Sequence, residues 1–233
     1  GIKQPGRSIA DYVSFIDFAP TFIELAGLKW SETRMQPAAG RSLMDIFHSD
    51  RSGIVNPARD HVLIGQERHD VGRPHDWGYP IRGIVRQDML YLQNFETNRW
   101  PICDPITGYL NCDGSPTKTQ ILDLRRAGTD KKFWQWSFGK RPTEEMYRVK
   151  SDPECLENLA IRPEYRELKE ELRKQLFSEL KAQGDPRMFG QGKVFDEYPV
   201  ASPTKNYYER FMKGEKVKAG WVNETDYEKE PLE

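Results

Sequence analysis

Apolar positions in this chain fall into two registers, a period of two through its middle and a period near 3.6 further on, separated by stretches that obey neither. Residues 163–183 give the clearest helix: Tyr165, Leu168, Leu172, Leu176 and Leu180 form one stripe, Pro163 suits the first turn, and Gly184-Asp185-Pro186 ends it. Residues 80–86 and 89–95 alternate and are split by Gln87-Asp88, which predicts a tight hairpin. Its second strand sets Leu90 and Leu92 on one face and Met89, Tyr91 and Gln93 on the other. The compact run His61-Val-Leu-Ile-Gly65 predicts a strand leading into a polar loop, and residues 145–149 predict another, closed by a turn at Ser151-Asp152-Pro153.

Nearer the start, Tyr-Val-Ser-Phe-Ile over residues 12–16 predicts a short strand, and Asp17 then stands where a helix N-cap belongs. Phe18, Phe22, Leu25 and Ala26 follow at helical spacing, with Pro20 in the first turn and Gly27 as the stop. Gly40-Arg-Ser-Leu43 opens a second short helix that runs through Phe47. Residues 99–141 show no clear periodicity, which marks a functional stretch or an insertion packed on the surface; they carry the aromatic patch Phe133, Trp134, Trp136 and Phe138. Beyond Gly190 the tail is rich in Tyr, Lys, Glu and Pro and has little core-forming pattern, so it is either wrapped over the domain or partly loose.

Composition narrows the classes of function. The 35 basic and 36 acidic residues among 233 leave a formal net charge of -1, so no whole-chain field draws in nucleic acid or anionic lipid. With 30% charged and 37% hydrophobic residues and a mean hydropathy of -0.78, much of the surface is polar. No run approaches the apolar length of a membrane span and no signal-peptide pattern is present; the opening Gly-Ile-Lys-Gln-Pro-Gly reads as cut from something longer. Of the three cysteines, Cys103 and Cys112 can close as a disulfide in an oxidising compartment or stand as two unrelated half-buried thiols, and Cys155 is left over. Neither a Cys-x-x-Cys nor a His-x3-His spacing offers zinc a site.

The densest chemistry follows the first central strand. Glu67, Arg68, His69, Asp70, Arg73, His75 and Asp76 crowd into ten residues punctuated by Gly72, Pro74 and Gly78. Recognition groups sit on loops anchored to a rigid scaffold, so substrate contact is expected here; the bland counterpart is a solvated loop with internal ion pairs. Trp77, Tyr79, Trp100 and Trp134 offer either a stacking platform or ordinary core, and Arg82 and Arg86 either ligand contacts or structural ion pairs.

Three stretches, in this order, resemble the C-terminal portion of the sulfatase family. The first is Val13-Ser-Phe-Ile-Asp-Phe-Ala-Pro-Thr-Phe-Ile-Glu-Leu-Ala-Gly27 with Gly40-Arg-Ser-Leu43, similar to a strand-Asp-x-x-Pro-Thr-helix-Gly and a Gly-x-Ser-Leu signature. The second is Ile81-Arg-Gly-Ile-Val-Arg86 with Leu90-Tyr-Leu92, and the third Glu145-Met-Tyr-Arg-Val-Lys-Ser-Asp-Pro-Glu154 with Glu157-Asn-Leu-Ala160. The likeness covers residues 5–183, and Gly65-Gln-Glu-Arg-His-Asp-Val71 with Tyr79-Pro-Ile-Arg82 resembles the heparan N-sulfatase, or sulfamidase, branch most.

The resemblance implies an α/β fold. Residues 1–66 would form the C-terminal end of an alkaline-phosphatase-like α/β sandwich, residues 67–190 a smaller α+β subdomain with an antiparallel sheet packed on a long helix, and residues 191–233 an extended tail. It implies hydrolysis of a sulfate ester or sulfamate by a formylglycine hydrate beside a calcium ion, a hard cation absorbing oxyanion charge. The family carries that machinery ahead of the Asp-x-x-Pro-Thr segment, so no catalytic residue and no calcium ligand is expected in this chain, and the fragment alone is expected inactive. The expected partners are an N-terminal sulfatase segment and a sulfated saccharide, with no nucleic acid and no membrane span; the expected location is periplasmic, secreted or lysosomal. An exposed sheet edge and apolar face would make the chain poorly soluble alone.

Under this resemblance Glu67, Arg68, His69, Arg73 and His75 are the substrate-binding candidates. Arg68 or Arg73 would hold a sulfate or carboxylate bidentately, and His69 would bond a sugar hydroxyl or titrate near neutral pH. Cys103-Asp-Pro-Ile-Thr107 and Ser151-Asp-Pro-Glu-Cys155 echo the formylglycine motif but lack its Arg, and Asp60-His61 echoes a ligand pair without a family match. A carbohydrate-binding module without catalytic ancestry and another alkaline-phosphatase-like phosphoric ester hydrolase are the alternatives.

Overall fold

The computed structural model describes residues 1–232. Its centre is a four-stranded antiparallel sheet in sequence order: β1 (His61–Gln66), β2 (Ile81–Arg86), β3 (Met89–Asn94) and β4 (Glu144–Arg148). Gln87, with φ +56°, turns the β2–β3 hairpin and fixes the register that pairs Arg86 with Met89 and Ile84 with Tyr91. Because side chains alternate, that register puts Ile84, Met89, Tyr91 and Met146 on one face, where they bury against Leu172, Leu176 and Leu180. Those leucines are the stripe of the long helix, Arg166–Ala182, entered through the single turn Pro163–Tyr165. The α/β class is the expected one, and the helix-backed antiparallel sheet holds the main core.

Ahead of the sheet lie α1 (Phe18–Leu25) and α2 (Met44–Phe47). The strand expected over residues 12–16 does not form: Ser14 is extended but unpaired and a 3-10 turn occupies Phe15–Asp17, so the pairing in this region is one parallel bridge between Ile9 and Gly53. Asp17 stands at the N-cap position of α1, as expected, but its side chain makes no capping bond there. Its carboxylate accepts the backbone N–H of Ser14 and of Arg41 and meets the Arg59 guanidinium at 3.2 Å, with both charged groups buried. Thr21 donates to the Asp17 carbonyl and accepts the N–H of Leu43. A Cβ on Gly40 would lie 2.1 Å from the Ile16 carbonyl oxygen, which only glycine avoids. The Asp-x-x-Pro-Thr and Gly-x-Ser-Leu signatures are thus two halves of one packed joint.

The stretch without periodicity contains two helices, α3 (Pro116–Arg126) and α4 (Lys132–Phe138). Ser115 caps α3 by accepting the N–H of Lys118. The helix hid because its inward residues are Leu122 and a lysine: Lys118 is buried, donates to the carbonyls of Gly108, Tyr109 and Cys112, and sits 3.1 Å from the buried Asp226. After β4, Asp152 accepts the N–H groups of Leu156 and Glu157, while Asn158 accepts from Met146 and Ala160 and donates to the Glu144 carbonyl. The Asp-Pro turn and the Asn-Leu-Ala signature therefore finish the edge of β4. The long helix is α5, and α6 (Val194–Glu197) and α7 (Tyr207–Met212) belong to the tail. The tail wraps: Tyr207 and Ala219 complete a cluster with Val71, Cys103 and Leu110, and Glu228 receives the Tyr109 hydroxyl and ion-pairs with Arg125 and Arg126. No helix among the described residues is long and apolar enough to cross a membrane.

Candidate functional site

The polar loop leaves β1 at Gln66 and returns at Ile81, and its two ends are pressed together at Gly78, where a Cβ would come within 2.3 Å of the Glu67 carbonyl oxygen. Between them Asp70, His75 and Asp76 take left-handed backbone at φ +65°, +59° and +53°, conformations that persist only where surroundings over-determine them. Asp70 accepts the N–H of Val71, and Asp76 accepts the N–H of Asn206 at the head of α7. The His75 N–H is taken by Glu209 of that helix. The loop is a built object fastened to the tail.

The five candidate residues are not alike in this frame. Glu67 is gripped by Arg187, whose Nε and Nη2 each donate at 2.7 Å, and by Arg82, which Asp185 also holds. Two of these bonds fall on Oε1 and one on Oε2, so most of its acceptor positions are taken by ion pairs. Arg73 is the clearest departure from the sequence expectation. It is 2% exposed, its Nε and Nη2 donate at 2.7 Å to the carbonyls of Trp100 and Pro101, and burial depresses its pKa. It pins the loop to the following segment and shows no N–H to a substrate.

Arg68 and His69 keep free chemistry. Arg68 donates to two neutral carbonyls, of Tyr198 at 2.8 Å and Asp76 at 3.4 Å, and forms no ion pair among the described residues, so its charge stays uncompensated. It lines an open cleft of about 490 Å3 with Asp70, Asp113, Ser202, Thr204 and Trp221. Burial, reinforced by Asp113, pushes the Asp70 carboxyl above its ordinary range against the pull of the Val71 N–H, His69 and Arg73. His69 is exposed and bonded through Nδ1 to Asn111. His75 lies on the outer rim, packed on Trp77 at 4.7 Å and 3.7 Å from Glu209.

Of the aromatic candidates, Tyr79 and Trp100 are buried, Trp134 donates to the Tyr109 hydroxyl, and Trp77 is partly open with Arg99 over its ring. Arg82 and Arg86 are structural, Arg86 bonding Glu171 and Gln175 on α5. Cys103 is fully buried and its thiol is pushed up to about 11 by burial, far from a reactive thiolate, and Asp104 turns that segment by accepting the N–H of Ile106. All three cysteines are free thiols. His61 is bonded by Asp60 and Glu179 on either side. Sequence reasoning missed Arg187, Asp113, Ser202 and Thr204, which come from segments far along the chain; the Asp185-Pro186-Arg187 turn after the long helix was the one local signal.

Together these features define an α/β protein whose helix-backed sheet carries a braced polar loop over an open cleft. No family model matches the chain. It is 32% identical over 198 residues to an ulvan-active sulfatase of Formosa agariphila, a match covering 83% of this chain and 29% of that protein. A second ulvan-active sulfatase of the same organism is 28% identical over 184 residues, covering 79% of this chain and 32% of that one. The homologues are sulfatases, and the chain spans less than a third of the length of these curated relatives. Among solved structures it overlaps in part with a 2-O GAG sulfatase, at TM-score 0.40 and 18% identity, over 78% of this chain and 28% of that one. A protein solved with its substrate D-glucosamine-2-N,6-O-disulfate gives TM-score 0.41 and 19% identity, over 78% and 25%.

Proposed function

We propose that this chain is the C-terminal portion of a sulfatase that removes sulfate from a sulfated saccharide, and that it supplies substrate recognition. The observation that carries this reading is the 32% identity to an ulvan-active sulfatase along 83% of the chain. In this reading the formylglycine hydrate and calcium ion that would supply the hydrolysis of a sulfate ester or sulfamate belong to the preceding portion, within an alkaline-phosphatase-like α/β domain. The cation's ligands are assigned to the preceding portion, and no step assigned to this chain passes through the cation. The preceding portion docks on the apolar surface around α1, where Phe15, Phe22, Leu25 and Leu28 are exposed, Phe15 by 86%. A periplasmic, secreted or lysosomal setting follows from the same reading.

Within the chain, Arg68 holds an anionic group of the sugar through its uncompensated guanidinium, and His69 bonds a hydroxyl through Nε2. Glu67 and Arg73 hold these two in place. The likeness of residues 65–71 and 79–82 to the sulfamidase branch makes an N-sulfated glucosamine the finer choice of substrate, against the 32% match to a ulvan-active enzyme.

The test is sulfate release by the full-length protein from ulvan oligosaccharides and from N-sulfated heparan fragments, with a phosphodiester as control. We expect release from one sulfated class, and Arg68→Ala to raise KM about tenfold with kcat changed far less, as for lost ground-state binding. Absence of sulfate release from every sulfated sugar, or turnover of the phosphodiester alone, overturns the reading.

A further inference from the structure

The sheet has a second face. One side packs on α5; by register the other carries Gln66, Ile81, Leu90, Leu92, Asn94, Glu145 and Tyr147. These residues line a cleft of about 430 Å3, closed on its far side by Phe133 and Trp136 of α4 and by Leu156. The volume lies within the range of small-molecule sites.

Its polar groups are unusual in what they lack. The Tyr79 hydroxyl and the Asn94 Oδ1 are both buried, on residues 1% exposed, and neither has a hydrogen-bond partner among the described residues. Leaving such groups unpaired is costly, and a native fold keeps few of them. Asn94 commits its Nδ2 to the Pro142 carbonyl and to Glu145, so its oxygen is the free end. Glu145, 6% exposed, accepts from Asn94 and the Tyr147 hydroxyl and forms no ion pair among the described residues. The cleft therefore offers two acceptors, one hydroxyl that can donate, and an aromatic wall in which Phe133 and Trp136 meet edge to face at 5.8 Å.

That set fits a neutral ring bearing hydroxyls. A pyranose lays its C–H face on the aromatic pair, donates hydroxyls to Asn94 Oδ1 and the Glu145 carboxylate, and accepts from Tyr79. A neutral unit suits the cleft better than a sulfated one, because the buried Glu145 carboxylate lines it and the cation that also lines it, Arg141, is held by the Trp136 carbonyl. The position is also apt: Asn111, which bonds His69, lies on the border of this cleft as well.

We propose that this cleft is a second saccharide subsite, taking an unsulfated sugar unit of the same chain whose sulfated unit meets Arg68 and His69. This rests on the saccharide reading above, and its test separates the two. The full-length protein is titrated calorimetrically with a chemically desulfated tetrasaccharide of the polymer it desulfates, or of ulvan if it desulfates none. Phe133→Ala is compared with wild type; Phe133 is 46% exposed, so its loss leaves the fold intact, which circular dichroism checks. Binding by wild type that weakens about tenfold in Phe133→Ala, while the KM for a sulfated monosaccharide is unchanged, supports the subsite. Absence of binding by wild type, or equal binding by both proteins, overturns it. Binding that depends on Phe133 in a protein that releases no sulfate leaves the subsite standing and sinks the sulfatase reading.

Discussion

Glu67 stands where Arg187 and Arg82 converge, joining the loop to the turn after α5 across 120 residues of sequence. Removing it leaves Arg187 without an ion pair and Arg82 with Asp185 alone, in a partly buried setting. Glu67→Ala is expected to lower stability by about 2 kcal/mol, below the figure for a fully buried pair because Glu67 retains some exposure. His69→Ala should leave stability within about 0.5 kcal/mol and weaken saccharide binding instead. Urea denaturation and calorimetric titration on the same two variants separate brace from contact. His61 gives a pH signature. Burial opposes its charge, but Asp60 and Glu179 outweigh that, so its folded pKa lies above the ordinary 6.5. A raised folded pKa stabilises fully below the unfolded value and is lost as pH rises through the folded one. The stability gap between wild type and His61→Gln, about 0.5–1 kcal/mol in mildly acidic buffer, should close as pH rises through the raised folded pKa, above 6.5. A gap that widens toward alkaline pH would refute the assignment. Single residues were the least legible level. Glu67 and Arg73 were readable as polar loop residues, but their partners lie in segments with no sequence relation to them, so brace and contact looked alike.

At the level of elements, patterns governed by periodicity came through. The hairpin, β1, β4 and α5 show their faces in the sequence because each sets a full apolar row against a core. Leu176→Ala, at the centre of that row, should cost about 2–5 kcal/mol in thermal or chemical unfolding, since the sheet above it cannot collapse into the gap. A loss under 1 kcal/mol would mean the sheet–helix core is looser than drawn. Elements held by polar burial did not come through. The α3 helix turns a lysine inward, and α4 offers the few aromatics that read as a surface patch. The extended run at residues 12–14 has strand composition without a strand beside it. The signature stretches were legible as resemblance, but only the structure shows that Asp17, Thr21, Gly40, Asp152 and Asn158 knit the joints between elements.

For the molecule as a whole, the tail is the surprise. Its composition read as loose or wrapped, and the structure has it wrapped, since Tyr207, Asp226 and Glu228 are all buried against the segment that follows the polar loop. Removing residues 191–233 would uncover Cys103 and leave Lys118 charged and unpaired, a loss of about 3–5 kcal/mol by the usual cost of breaking a buried pair. Thiol labelling should then reach Cys103, whereas the full chain labels at the half-buried Cys112 and Cys155. Protection of Cys103 in the truncated protein would show that the tail is dispensable for the loop's inner core.

The Lys118–Asp226 pair also orders events in time. A chain is made from its first residue onward, and contacts between distant residues form late. The polar loop around residue 70 is emitted early, yet its inner cluster closes with Tyr207 and Ala219, and the segment behind it locks with Asp226 and Glu228. The sheet and α5 can assemble while synthesis continues, but the polar loop reaches its final shape only after residues 207–228 have been added. A chain cut short of residue 226 would have a sound sheet–helix core and an unfinished polar loop.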